Sequence, residues 1–295
     1  MTPSPLRRPR NRRRFASGLL ASAMAMLVAG CQSLALGVAN IGQERPDQSV
    51  VFDPARNLAL DIYRPETVVA AGGAPVVVFF YGGGWRTGNR AQYRFVGRRL
   101  AEQGMLAVVA DYRLSPRATF PEFVEDGARA VAWARRNAEQ HGGDPQRLFV
   151  AGHSAGAQIA ALLGADARYL AEESLAPRDL AGVIGLAGAY NFSISGGYEE
   201  VFGPQAQWPR AQAVNFVDGD EPPFLLVHGT EDKVVLARGS QMMADRLRAN
   251  SGSATLVLLP GGGHSTPLMG LFRPQGNPEV LEAIRRFVAA PGSYR

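Results

Sequence analysis

Three short segments hold residues that could together perform nucleophilic chemistry: Gly152-His153-Ser154-Ala155-Gly156, Gly229-Thr230-Glu231-Asp232 and Gly261-Gly262-Gly263-His264-Ser265. A serine hydroxyl is a weak nucleophile at neutral pH, so it needs a base to take its proton and a further group to orient that base. The chain has four histidines. His141 precedes the turn-like Gly142-Gly143-Asp144-Pro145, His153 lies inside the serine segment and His228 directly ends an apolar run. His264, in a glycine-rich loop able to reach across to the serine, is therefore the expected base. The acid should lie between serine and histidine in chain order and just after a strand, which points to Asp232, with Glu231 as its neighbouring rival. Ser154, Asp232 and His264 would together support acyl transfer without a metal or organic cofactor.

Those residues need elements to hold them. Gly-x-Ser-x-Gly alone says little in a chain with 34 glycines, but here the apolar run Leu148–Ala151 precedes it and an Ala- and Leu-rich helical stretch follows. A serine in a tight strand-to-helix turn requires small residues two positions away on each side, and the helix start offers N–H groups to a developing oxyanion. A second turn, Tyr81-Gly82-Gly83-Gly84-Trp85, follows the apolar run Pro75–Phe80, and its spacing matches neither the Walker A nor the dinucleotide fingerprint. The N–H groups of Gly83, Gly84 and Ala155 are the expected oxyanion donors, with Gly82 making the turn.

Further apolar runs at Leu106–Ala110, Gly182–Leu186, Phe224–Val227 and Ala254–Leu259 alternate with stretches of helical spacing at Ala91–Gln103, Pro121–Gln140, Ala155–Leu163, Ala237–Ala249 and Glu279–Ala289. Strands apolar throughout and separated by helices predict an α/β fold with a mostly parallel central sheet covered on both sides. Ser49–Phe52 and Leu58–Tyr63, separated by Asp53-Pro54-Ala55-Arg56-Asn57, predict a hairpin ahead of it. Between the serine and acid segments, Ala189–Pro222 brings Tyr190, Phe192, Tyr198, Phe202 and Trp208. With Trp85 these aromatics could line an apolar acyl or aryl site, Trp85 and Tyr190 foremost, or form the core of a small helical cap.

The net charge of +5 is unevenly placed. Six arginines precede residue 15 and no acidic residue precedes residue 31, so the chain beyond residue 30 is near neutral, which argues against nucleic acid as a partner. Residues 1–30 have the layout of an export signal: an arginine-rich start, the apolar run Phe15–Ala29, and Val28-Ala29-Gly30 before Cys31, the only cysteine. That apolar run is short and Ala-rich for a membrane span. The small residues before Cys31 resemble a bacterial lipobox, which implies lipidation of Cys31 as the first mature residue and attachment to an extracytoplasmic membrane surface. Arg12-Arg13-Arg14-Phe15 also resembles a twin-arginine signal. Residues 32–47 read as a tether and 48–292 as the catalytic domain.

Taken together with Asp111-Tyr112-Arg113-Leu114 and Gly142-Gly143-Asp144-Pro145-Gln146-Arg147, these segments resemble the α/β-hydrolase superfamily, in particular bacterial carboxylesterases related to hormone-sensitive lipase. The resemblance spans roughly residues 48–290 and implies a small-molecule ester as substrate, with Asp111 and Asp144 as structural residues fixing loops near the serine turn. Three departures stand out. Tyr81 replaces the usual histidine, Ser115-Pro116-Arg117 replaces Ala-Pro-Glu, and few residues precede the first strand, leaving little or no N-terminal cap. The chain is thus more similar to uncapped relatives such as prenylcysteine methylesterase-like, feruloyl- or acetyl-esterase-like and kynurenine-formamidase-like enzymes. An amidase or peptidase with the same triad, and a non-catalytic binding protein on the same fold, are the alternative readings, and the sequence leaves the oligomeric state open.

Overall fold

A computed structural model describes residues 36–65 and 72–293; Cys31, the leader and the start of the tether lie outside the described residues. Among the described residues, eight strands form one sheet in the order β1-β2-β4-β3-β5-β6-β7-β8. They are β1 (Gln48–Asp53), β2 (Leu58–Tyr63), β3 (Ala74–Phe80), β4 (Leu106–Ala110), β5 (Gly143–His153), β6 (Gly182–Leu186), β7 (Phe224–Gly229) and β8 (Ala254–Leu259). β1 and β2 form the predicted antiparallel hairpin, β2 pairs antiparallel with β4, and all remaining pairs are parallel. Every residue of β3, β4, β6 and β7 is buried, which is why these strands read as unbroken apolar runs.

Helices α1 (Arg94–Glu102), α2 (Glu122–Asn137) and α3 (Ala155–Ala165) follow β3, β4 and β5, and α4 (Ala167–Ala171) follows α3 directly. Helices α5 (Glu199–Phe202), α6 (Arg238–Ala249), α7 (Thr266–Phe272) and α8 (Pro278–Ala289) complete the order. α3 is buried along its whole length, so its Ala-rich composition lets the helix lie close against the sheet. Residues 36–47, read from sequence as tether, lie on the domain. Leu36 and Ala39 are buried, and Asn40 bonds through its side chain to the carbonyl of Gln92 and the amide of Phe95.

Two features of register matter for the site. Phe80 pairs with Gly152, so β3 and β5 end side by side and release the glycine-rich loop and the serine turn next to one another. β5 is also longer than its apolar run, starting at Gly143. Asp144, expected near the serine turn, therefore sits at the opposite end of the strand, ~30 Å away along it, where its carboxylate accepts a local bond from the Gln146 amide.

Candidate active site

Ser154 stands between β5 and α3 with φ 54° and ψ −116°, a left-handed conformation that a non-glycine residue adopts only where its surroundings impose it. The flanking glycines explain how the turn closes. A Cβ on Gly152 would lie 2.3 Å from the backbone of Gly156, and one on Gly156 would lie 2.0 Å from the carbonyl oxygen of Phe80. Gly82 completes the contact from the other side, since a Cβ there would meet His153 Nδ1 at 2.7 Å and Ser154 Cβ at 3.2 Å. Turn and glycine loop thus touch backbone to backbone.

The glycine loop is rooted by three tyrosines. Tyr112 Oη donates to the carbonyl of Tyr81 (2.8 Å), their rings stack at 4.6 Å, and the Gly82 amide donates to Tyr93 Oη (3.2 Å). Burial pushes all three phenols above their usual range, so they act as neutral hydrogen-bonding groups. Tyr81, standing where the resembled esterases carry histidine, is therefore part of the loop's support. Asp111 anchors the far side of the loop by pairing with Arg90 and accepting its amide (3.1 Å). Among the described residues no acceptor takes the N–H of Gly83, Gly84 or Ala155.

The expected acid and base are stitched to each other. The Thr230 amide donates to Leu259 O, the Glu231 amide to Gly262 O, and the Gly261 amide to Thr230 Oγ1. The glycine-rich loop carrying His264 is pinned to the end of β7. His264 Nε2 lies 2.9 Å from Ser154 Oγ, and His264 Nδ1 lies 2.7 Å from Asp232 Oδ2. The neighbouring Glu231 side chain is exposed, whereas Asp232 is buried, which decides between the two carboxylates. Asp232 accepts four N–H groups: His228 and His264 on Oδ2, Val234 (2.8 Å) and Val235 (2.9 Å) on Oδ1. Burial alone would raise its pKa, but the bonds from His228, His264 and the Val235 amide outweigh that and hold the carboxyl well below its usual range. His153 is fully buried and its pKa is lowered to about 3, first by desolvation and next by the neighbouring His264. Its Nε2 donates to the His264 carbonyl (3.2 Å), steadying the base from behind.

Residues 60–247 match the BD-FAE family model. The chain belongs to the BD-FAE family. Similar proteins include a probable isoprenylcysteine alpha-carbonyl methylesterase of Oryza sativa subsp. japonica, 32% identical over 266 residues, which cover 80% of this chain and 61% of that protein. Esterase LipC of Mycobacterium tuberculosis is 34% identical over 219 residues, covering 64% of this chain and 52% of LipC. The chain thus spans little more than half the length of such curated relatives. Thermogutta terrifontis esterase 2, solved in a form phosphonylated by sarin, superposes with a TM-score of 0.73 at 25% identity, over 84% of this chain and 96% of its own. The α/β-hydrolase architecture expected from the sequence is shared with these structures.

In this BD-FAE chain the segment between β6 and β7 covers the glycine loop. Trp85, itself at φ 58°, stacks on Phe192 (5.6 Å) and meets Phe202 (4.8 Å) and Tyr198 (5.7 Å) edge-on. Its indole N–H donates to Gln158 Oε1 (3.1 Å), and Gln158 Nε2 donates to the Ala211 carbonyl (2.9 Å). Only 4% of Trp85 is exposed, so most of its ring buttresses the loop. Tyr190, expected on the substrate side, is fully buried: its ring fills the space left by Gly185 and Gly188, and a Cβ on Gly185 would lie 1.8 Å from its hydroxyl. It is a core residue here. Four participants had no sequence signal of their own: Gln158, Tyr93, the supporting role of His228, and Ser240, whose hydroxyl lies 2.7 Å from His228 Nδ1. Only the place of Gln158, one helical turn after Ser154, hinted at proximity.

Proposed function

We propose that the chain is a serine hydrolase cleaving carboxylic esters through an acyl-enzyme on Ser154. The observation carrying this reading is the continuous line from Ser154 Oγ through His264 to Asp232, beside three N–H groups with no partner of their own. His264 Nε2 takes the serine proton as Oγ attacks the ester carbonyl. The N–H groups of Gly83, Gly84 and Ala155 receive the oxyanion, each worth on the order of 3 kcal/mol of transition-state stabilisation. His264 passes its proton to the departing alkoxide, Asp232 stabilises the intervening imidazolium, and a water activated by His264 then releases the acid. The esterase names of the relatives support a small-molecule ester as substrate.

The same proposal places the enzyme outside the cytoplasm, lipid-anchored through Cys31, on the strength of the Val28-Ala29-Gly30-Cys31 segment. Unmodified Cys31 in the intact mass of membrane-extracted protein would remove that part. For the chemistry, a fluorophosphonate probe should label the wild type and not Ser154→Ala, and p-nitrophenyl acetate should turn over faster than a matched anilide. Folded wild type that resists the probe would return the chain to a binding role, and a faster anilide would make it an amidase.

A further inference from the structure

His228, the penultimate residue of β7, has no exposed surface and has both ring nitrogens engaged. Nε2 faces two acceptors, Asp232 Oδ2 at 3.0 Å and the Val235 carbonyl at 2.9 Å, so this nitrogen carries a hydrogen. Nδ1 faces Ser240 Oγ of α6 at 2.7 Å, and this buried hydroxyl donates to it. A single carboxylate oxygen, Oδ2, therefore receives N–H groups from two histidines, one on each side.

We propose that His228, oriented by Ser240, is a positioning residue that sets the orientation and acceptor strength of Asp232, and through it the basicity of His264. The inference rests on the reading of Ser154, His264 and Asp232 as the catalytic line, and it extends that line by two residues, His228 and Ser240. A donor on Oδ2 draws electron density from the carboxylate and weakens its hold on the His264 imidazolium. Without that donor the imidazolium is favoured, and His264 becomes a base only at higher pH. The titratable groups facing this line are Asp232 itself, His264 from the loop after β8 and His153 from the serine turn; α6 contributes the Ser240 hydroxyl. Glu231, Lys233 and Arg238 flank it with exposed side chains.

The test compares wild type, His228→Ala, His228→Gln and Ser240→Ala by kcat and KM for p-nitrophenyl acetate across pH, and by NMR titration of 15N-labelled histidines. In His228→Ala the acid limb of kcat/KM and the His264 titration both move upward by about one pH unit, the equivalent of one hydrogen bond to a charged group. At pH 7 kcat falls by about threefold, rising towards about tenfold on the acid side of the limb, because more of His264 is held protonated, while KM stays within about twofold. His228→Gln, whose amide nitrogen takes the place of Nε2, restores most of kcat and the original limb. Ser240→Ala moves the limb in the same direction by less, and carries the test if His228→Ala does not fold. Folded variants with an unmoved limb and an unmoved His264 titration, or a loss of kcat that glutamine fails to rescue, overturn the proposal. A wild type inactive on esters whose His264 titration still responds to His228 overturns the esterase reading and upholds this one.

Discussion

Replacing Asp232 with asparagine tests the site sharply because both carboxylate oxygens already accept two N–H groups. If the amide NH2 faces Val234 and Val235, two part-buried backbone donors lose their acceptor, at up to about 1–3 kcal/mol each. If it faces the histidines, His264 can move its proton to Nε2 and accept through Nδ1. His228 cannot follow, since its Nε2–H is also held by the Val235 carbonyl. One donor is then left facing the amide, a cost of about 1–3 kcal/mol, so this second orientation prevails and the variant stays folded. It carries the wrong tautomer: His264 Nε2–H now points at Ser154 Oγ and cannot take its proton. A triad trapped in this way loses roughly 10⁴ in kcat, or about 5.5 kcal/mol of barrier. Turnover of p-nitrophenyl acetate alongside thermal unfolding separates the two effects. A folded Asp232→Asn enzyme with kcat within tenfold of wild type would refute the argument, because His264 would then find its tautomer without help.

Gly156→Ala should fail to accumulate as soluble protein or should lose about 3 kcal/mol in urea unfolding, because its Cβ meets the Phe80 carbonyl oxygen at 2.0 Å and both partners are backbone; a well-folded variant of unchanged midpoint would show that β3 and the turn can part. His153 should make the fold sensitive to mild acid. Its pKa is depressed from 6.5 to about 3, so the unfolded chain binds the extra proton between those values. Its contribution is therefore complete above pH 6.5 and is lost as pH falls towards 3, by about 1.4 kcal/mol per unit. His153→Gln should flatten the slope of stability between pH 6.5 and 5 in urea titrations, and an unchanged slope would place the acid sensitivity elsewhere.

The fold and the line of three were legible because each active side chain follows an apolar strand, and strand ends are visible in sequence. Asp232 was already favoured over Glu231 by its place after a strand, and the path of the chain beyond β7 buries the one and exposes the other. His228 at the end of a strand looks like any buried histidine, and its partner Ser240 lies twelve residues on, in a different element. The helix α7 was missed because Thr266-Pro-Leu-Met-Gly-Leu-Phe272 is only about two turns long and carries a glycine in its interior, too short a stretch to show helical spacing. Tyr190 misled for a related reason: aromatic residues in an insertion can line a pocket or fill one, and two glycines, Gly185 in β6 and Gly188 just after it, made room for the second.

The backbone contact between the serine turn and the glycine loop also bears on how the proposed esterase could be given new substrates. Gly82, Gly152 and Gly156 present no side chain to vary, so the geometry of the proposed oxyanion site cannot be retuned by gradual substitution. The covering segment is a different case. It reaches the loop through separable handles, among them Arg86 to the Gly197 carbonyl and Gln158 to the Ala211 carbonyl. Mutational libraries aimed at residues 190–216 would explore new substrate shapes over a fixed chemical engine, whereas libraries aimed at the glycines would mostly return misfolded chains.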